Sequence, residues 1–285
     1  MKRHAVRRGI SAFLLILFLI VFLAFSVFTV GFIVSDANVK IYHPTVEKAE
    51  IEPILRKESL TSEDYALLYR QTGVSAIGID RARTHGESGI RRILLIQSAY
   101  FSQKKIKHDN FAPLMCTDFV TGNDIPHIYL EDGDILVTAS THFSAFRMGH
   151  AGIVTNGIRE DILQAEAYGA NSCIGEPGDF TDHASFLILR PKADSDTVAA
   201  VVDYAKKNLV GIPYNAFAGI FTNKESIQST QCAHLIWYAF HLFGVELTDP
   251  GKSLILPFDL ANSDALEVVQ VYGFDPDTLW DALFY

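Results

Sequence analysis

The sequence predicts an α+β fold behind an N-terminal membrane helix. Three observations lead to this prediction: a long uncharged run near the N-terminus, a helical stretch after it, and strand periodicity from residue 133 onwards. Two more helices and one apolar strand follow the strands. Because helices and strands occupy separate stretches of the chain instead of alternating, we expect an antiparallel sheet that packs on helices.

Composition and charge limit the classes of protein to which the chain can belong. The chain has 285 residues, of which 49% are apolar and 20% charged, so it has enough apolar surface to fold and is not disordered. Its formal charge of −9 argues against a nucleic-acid partner, because such partners require a basic surface. Residues 1–34 carry four basic and no acidic residues, so residues 35–285 carry a formal −13.

The uncharged run, residues 10–34, predicts a membrane anchor. As an α-helix its 25 residues would span roughly 37 Å, more than the ~30 Å hydrocarbon core of a bilayer. The basic tip, residues 1–9, is expected to stay in the cytoplasm, which places the rest of a single-pass chain outside the cell membrane. The alternative is a cleaved signal peptide, with Ser35 and Ala37 as small residues before the cleavage site.

Residues 35–127 are predicted to form a stalk and a helical extension. The first part, residues 35–60, is polar and contains two prolines, which is typical of a stalk. Helices are expected after it, at Glu63–Gln71 (capped by Thr61 or Ser62 and ended by Gly73) and at residues 91–101. Residues 102–132 are predicted to be rich in loops.

Strand patterns begin at residue 133. The predicted strands are 133–138, 149–155, 161–168, 185–190 and 266–272; the predicted helices are 197–209 and 230–243, with a turn at 211–214.

Cys232 is the first candidate for chemistry. The chain has three cysteines, an odd number that leaves at least one thiol unpaired within the chain. Ser229 or Thr230 would cap the helix that follows, so Cys232 would lie in its first turn, where the helix dipole favours the thiolate. The alternative interpretation is a small buried apolar side chain, as free cysteines often are.

His150 and Glu166 are the second candidate pair. Their strands are joined by a short loop containing Asn-Gly, which is typical of a hairpin. A hairpin centred on Ile158 would place Glu166 opposite His150, where a carboxylate can orient an imidazole. A slip of two residues would substitute Gln164 or Tyr168. A lone histidine in an apolar strand is otherwise more often structural.

An ordered set of short motifs resembles a known family. The motifs are Gly-Asp-Ile-Leu at 133–136, Gly-His-Ala-Gly-Ile-Val at 149–154, Ala-Glu-Ala at 165–167, Gly-Ile-Pro-Tyr at 211–214 and Gln-Cys-Ala-His-Leu-Ile-Trp-Tyr-Ala at 231–239. In this order they resemble the permuted NlpC-type papain-like cysteine hydrolases, the YiiX/YebB-like group. The resemblance covers about residues 128–275 and implies a circularly permuted papain-like domain over residues 128–285.

The resemblance also implies roles for individual residues. Cys232 would be the nucleophile, His150 the general base and Glu166 the orienting acid, while Tyr214 would line the substrate site. The sequence departs from many relatives at Ala233-His234, where they have Ser followed by a small residue. This departure leaves the three catalytic positions intact and weakens any close analogy in substrate.

The function expected from these motifs is hydrolysis of an amide bond, in a cell-wall peptide, by a membrane-anchored enzyme that faces outside. Two alternatives stay open: a lipid-directed acyl hydrolase or acyltransferase, and a non-catalytic binding module on the same fold. The extension at 35–127 could also dock a partner or cover the site. The sequence contains no His-Glu-x-x-His or Cys-x-x-Cys motif, so no catalytic metal and no cofactor are expected.

Overall fold

The structure is a computed structural model that describes residues 2–122 and 125–284. It describes no side chains for residues 2–12, so the charges of the predicted basic tip, residues 1–9, lie outside the described features. The chain forms a mixed α+β fold with two antiparallel sheets and one apolar N-terminal helix. The predicted fold class is confirmed at this level.

The helices and strands follow in this order: α1 Lys2–Asn38, α2 Glu52–Leu55, α3 Ser62–Thr72, α4 Ala76–Arg83, α5 Glu87–Tyr100, β1 Ile106–Ala112, β2 Met115–Val120, β3 Ile135–Thr138, β4 Thr141–Phe143, β5 Phe146–Arg147, β6 His150–Asn156, β7 Asp161–Gln164, β8 Cys173–Gly175, α6 Gly178–Thr181, β9 Phe186–Pro191, α7 Ser195–Asn208, α8 Cys232–His241, α9 Pro257–Ala261 and β10 Leu266–Tyr272.

Helix α1 is long and apolar enough over Phe13–Asn38 to span a membrane. Most of its apolar side chains are exposed, as a helix surrounded by lipid requires. Its C-terminal part contacts the rest of the chain. The ring centroids of Phe28 and Phe143 lie 5.5 Å apart, and Ser144 Oγ donates a hydrogen bond to the Phe28 carbonyl oxygen at 2.7 Å.

The extension is more compact than a stalk. Within the stretch predicted as polar stalk, Ile41, Ile51 and Leu55 are buried in one apolar core with α3, α4 and α5. Thr61 caps α3 through a capping box with Asp64, as expected for one of the two predicted caps. These three aliphatic side chains, together with partly buried neighbours such as Val39 and Ile54, attach the segment to the body of the protein.

The hairpin of β1 and β2 lies where the sequence predicts loops. Strands β1, β2, β4 and β5 form a four-stranded antiparallel sheet in that order. Most side chains of β1 are exposed, so the strand lacks the apolar alternation on which a prediction depends.

The larger sheet has six antiparallel strands in the order β10-β9-β3-β6-β7-β8. Alternate residues of its strands belong to two different apolar cores. Helices α7 and α8 cover one face and share a core with Ala151 and Ile153 of β6. The extension and Phe180 cover the other face, which carries Val154 and Ile162.

The hairpin of β6 and β7 has the predicted register. Gly152 lies opposite Gln164 and Val154 opposite Ile162, as expected for a hairpin centred on Ile158. Strand β7 ends at Gln164, four residues before the predicted end. Glu166 therefore lies beyond the ladder, where it is exposed.

Candidate active site

Cys232 lies in the first turn of α8, as predicted, but the helix begins at Cys232 itself and has a different cap. Gln231 is the N-cap, and its Oε1 accepts a hydrogen bond from the Ala233 N–H at 2.8 Å. The side chain of Cys232 is almost buried, with 7% exposed. Within the described residues its N–H has no hydrogen-bond partner, as expected at the start of a helix, and it can donate to a substrate oxygen.

Tyr214 lies close to Cys232 because a turn runs beside the start of α8. The Thr230 N–H donates to the Pro213 carbonyl oxygen at 2.9 Å, and the Asn215 N–H donates to the Thr230 carbonyl oxygen at 2.6 Å. Burial, with a further contribution from the charge of a Cys232 thiolate, raises the pKa of Tyr214. The phenol therefore stays protonated and able to donate a hydrogen bond beside the thiol.

His234 is near Cys232 in the helix, yet its imidazole is fully engaged. Its Nε2 lies 2.7 Å from the Lys224 carbonyl oxygen, which only an N–H can approach, so Nδ1 accepts from Thr230 Oγ1 at 2.9 Å. Burial lowers the pKa of His234 and keeps the ring neutral. These contacts assign His234 a structural role.

His150 is held by a chain of hydrogen bonds in which Gln164 is the centre. Gln164 is buried, and its Nε2 donates to Glu166 Oε1 at 2.9 Å and to Asp179 Oδ2 at 2.6 Å. Only the NH₂ group can donate to two carboxylates, so Gln164 Oε1 must face His150 Nε2, 2.7 Å away. His150 Nε2 therefore carries the proton, and Nδ1 has the free lone pair of a base.

The predicted His150–Glu166 pair is not formed. Because β7 ends at Gln164, Glu166 has no place opposite His150 in the ladder and contacts Gln164 instead. Gln164, the residue that the two-residue slip would have selected, orients the imidazole although the register is the predicted one. A side chain at the end of a strand leans diagonally towards its neighbour, a contact that the antiparallel geometry allows.

Asp179 and Gln231 also shape these two sets of contacts, although their sequence positions did not predict such roles. Asp179, on the short helix α6, supplies the second carboxylate for Gln164, and Gln231 supplies the cap before Cys232. Asp179 is brought in by a contact between separate elements, for which a single sequence carries no signal. Asp134, which belongs to the motif at 133–136, fixes a turn: it accepts from the Glu131 N–H and from Arg190.

Phe180 stacks on the imidazole of His150, with ring centroids 5.2 Å apart and planes 12° from parallel. It reaches this position because residue 152 is a glycine. A Cβ at Gly152 would lie 2.9 Å from Phe180 Cζ and 2.5 Å from Ile162 Cγ2. Gly152, two residues after His150, therefore makes room for the aromatic ring that stacks on the imidazole.

We expect Gly152→Ala to destabilise the fold by about 1–3 kcal/mol, because the added methyl group overpacks a core without room for it. Urea denaturation of the full chain in detergent measures the change. Gly251→Ala is the matched control, since the nearest atom to its added Cβ is Asp249 Oδ1 at 3.4 Å. Equal stabilities for the two variants would contradict this account of Gly152.

Cys232 and His150 belong to neighbouring elements, but no hydrogen bond joins their side chains in the described part of the chain. Helix α8 packs against Ala151 and Ile153 of β6. His150, at the first position of the same strand, shares the opposite face with Gln164 and Phe180. The structure thus places Cys232 and His150 on neighbouring elements and opposite faces of the larger sheet, each with its own set of contacts.

The other two cysteines lie in surroundings that disfavour a thiolate. Burial, then the carboxylates of Asp118 and Asp36, raise the pKa of Cys116 to about 12. Burial, then Glu166 and Asp179, raise the pKa of Cys173. Neither thiol is suited to attack a carbonyl group near neutral pH.

Comparison of the chain with protein-family models, curated proteins and solved structures finds no match. The function proposed below therefore depends on the geometry of the site.

Proposed function

We propose that the protein is a membrane-anchored cysteine hydrolase that cleaves an amide bond, with a cell-wall peptide as the substrate. Cys232 is the nucleophile, His150 the general base and Gln164 the residue that orients it. The observation that carries the proposal is the hydrogen-bond chain that leaves His150 Nδ1 as the basic nitrogen. Papain-like enzymes use the same logic, with a side-chain amide oxygen accepting from the catalytic histidine.

The proposed reaction has two steps. The Cys232 sulfur attacks the amide carbon, the carbonyl oxygen becomes an oxyanion that accepts from the Cys232 N–H, and the carbon–nitrogen bond breaks. His150 gives the thiol proton to the leaving amine. Water then attacks the thioester carbon while His150 takes its proton, which releases a carboxylic acid and restores the thiol.

The reaction requires Cys232 Sγ and His150 Nδ1 to meet at the N-terminal end of β6. His150 is the first residue of that strand and is half-buried; its imidazole contacts Gln164 and Phe180 on the face of the sheet opposite α8, so the reaction requires this end of the strand to rearrange. Catalytic hydrogen bonds are often long or misaligned before the substrate binds. We expect substrate binding to produce this rearrangement and close the contact.

The anchor and the topology support an extracytoplasmic substrate. Helix α1 has the length and composition of a membrane span, and the basic residues before it favour a cytoplasmic N-terminus. The acidic body would then face outside the membrane, within reach of wall peptides.

Alkylation tests the proposed pair directly. In the full chain in detergent at neutral pH, iodoacetamide should modify Cys232 faster than Cys116 or Cys173, because the raised pKa values of the latter two keep them as thiols. His150→Ala should slow alkylation of Cys232 at least about 10-fold, since the imidazolium that stabilises the thiolate is lost.

His43→Ala is the control for this experiment, because His43 is exposed and lies outside the site. Peptide mapping by mass spectrometry gives the rate at each cysteine. Equal rates at Cys232 in the wild type and in His150→Ala, or faster alkylation of Cys116 or Cys173, would reject the proposed pair.

A lipid-linked ester or amide is the second candidate substrate. The loop after Tyr214 exposes Phe217, Ile220 and Phe221, the last with 80% of its surface accessible. A cluster of exposed aromatic and aliphatic side chains beside the proposed nucleophile, on an anchored protein, could hold an acyl chain. Activity on acyl lipids but not on wall peptides would favour this alternative.

A further inference from the structure

The small sheet collects four polar side chains on one face. Its register places His108 of β1 opposite Asp118 of β2, and Cys116 of β2 opposite His142 of β4. Cys116 and Asp118 are two residues apart, so they project from the same face of their strand. Three neighbouring strands thus direct two imidazoles, a thiol and a carboxylate to one place.

A second carboxylate reaches this place from the membrane helix. Asp36 lies in the last turn of α1, and its Oδ1 is 3.8 Å from His108 Nδ1. One donor atom each from Asp36, His108, Cys116 and Asp118 lie within 4.8 Å of one another. Cys116 and Asp118 are fully buried. Such a concentration of sulfur, nitrogen and oxygen donors is typical of a metal site.

His142 gives independent evidence that a cation belongs there. Its ring is fully buried, and Nδ1 lies 2.8 Å from the Ser144 carbonyl oxygen, so Nδ1 carries the proton and donates it. The lone pair of Nε2 then has no hydrogen-bond donor among the described residues. Instead it faces two carboxylate oxygens, Asp36 Oδ1 at 3.2 Å and Asp118 Oδ1 at 3.9 Å.

A lone pair that faces carboxylate oxygens is repelled, and a bound cation removes the repulsion. The backbone hydrogen bond at His142 Nδ1 is the contact that usually orients a metal-binding histidine. Asp118 is oriented in the same way, because its Oδ2 accepts from Arg147 Nη1, while its Oδ1 faces the site and lies 2.7 Å from His108 Nδ1.

We propose that Asp36, His108, Cys116 and Asp118, with His142 as a further donor, bind one zinc ion. The mixture of thiolate, imidazole and carboxylate favours zinc over magnesium or calcium, which prefer oxygen ligands alone. Tetrahedral zinc ligands lie roughly 3.3–3.8 Å apart, whereas these donor atoms lie within 4.8 Å of one another and His108 Nδ1 is only 2.7 Å from Asp118 Oδ1, so the partly exposed Asp36 and His108 need to shift on binding. Binding releases the Cys116 proton to solvent.

The ion would join the end of the membrane helix to the extracytoplasmic domain. Asp36 belongs to α1, whereas the other donors belong to the small sheet, and the two parts otherwise meet through contacts such as the stacked rings of Phe32 and His142. The site uses none of the residues proposed for hydrolysis, so it neither requires nor tests the proposed function.

Cobalt titration of the full chain in detergent, after treatment with a chelator, tests the site. We expect one Co²⁺ per chain, a thiolate-to-cobalt charge-transfer band, and displacement of the Co²⁺ by Zn²⁺. Cys116→Ser should abolish that band, and His142→Gln should weaken Co²⁺ binding at least about 10-fold. Cys173→Ser and His43→Gln are matched controls that should leave both the band and the affinity unchanged.

The wild-type titration alone can overturn the proposal, so the test remains valid even if a variant does not fold. No charge-transfer band at saturating Co²⁺ would mean that the cluster is an ion network with a protonated histidine. A band that survives Cys116→Ser would place the metal elsewhere. Zn²⁺ should also raise the melting temperature of the wild type, and a melting temperature independent of Zn²⁺ would contradict binding to the folded state.

Discussion

Cys232→Ala should abolish hydrolysis, with a loss of kcat/KM on the order of 10³-fold or more. Without the sulfur no thioester can form, and His150 with Gln164 can only assist a direct attack by water. The fold should persist, because the substitution removes one atom from a small side chain at the start of α8 and leaves the Gln231 cap in place.

The assay compares wall peptides with acyl lipids in mixed micelles, using the full chain in detergent. Cys173→Ala removes the same atom from a cysteine outside the proposed pair and should keep full activity. Activity that survives Cys232→Ala would exclude Cys232 as the nucleophile. A wild-type protein that binds these compounds without turning them over would favour the non-catalytic binding module.

The parts of the fold that follow local rules could be predicted from the sequence. Strand β10 has the predicted bounds, Leu266–Tyr272, and α7 begins and ends within two residues of its prediction. The register of β6 and β7 was also predictable, since a short loop with Asn-Gly constrains which residues can pair.

Other parts depend on contacts between elements that are distant in sequence. Strand β1 is mostly exposed and lacks an apolar pattern, so the hairpin with β2 could not be recognised. The segment predicted as stalk mixes apolar residues with charged residues and prolines, and the packing of its aliphatic side chains, such as Ile51 and Leu55, against the helices that follow makes it part of the body.

The site shows the same division on a smaller scale. The sequence identified Cys232 at a helix start and His150 on a neighbouring strand, because each follows from its own segment. It did not identify the end of β7 at Gln164, which moves Glu166 out of the ladder. Nor could it identify Asp179, since that carboxylate lies on a different element, α6. Asp179 accepts from Gln164 Nε2 and so determines which way the Gln164 amide faces.

Gln164→Ala should lower kcat/KM about 100-fold, because His150 loses the acceptor that holds its proton on Nε2. The more informative variant is Gln164→Glu. It keeps an acceptor for His150, but it removes the NH₂ group that donates to Glu166 and Asp179, and it places a third negative charge between them. We therefore expect Gln164→Glu to be impaired although many catalytic histidines are oriented by a carboxylate.

The double variant Gln164→Glu/Asp179→Asn separates orientation from charge. The asparagine can donate to the introduced carboxylate in place of the lost NH₂ group, so activity should return to within about 10-fold of the wild type. In the single variant three carboxyl groups share the site, which raises the pKa of the introduced carboxyl group in the folded state. Its stability should therefore fall as pH rises through roughly 5 to 8, whereas that of the double variant should not.

Urea denaturation across this pH range, together with kcat/KM for both variants, measures the two effects. Asp203→Asn, which changes an exposed carboxylate on α7 whose partner is Lys207, is the control for the loss of a charge. If the single and double variants were equally active and equally stable at every pH, Asp179 would not determine the orientation of Gln164. The tautomer of His150 would then have no structural basis, and the assignment of Nδ1 as the basic nitrogen would fail with it.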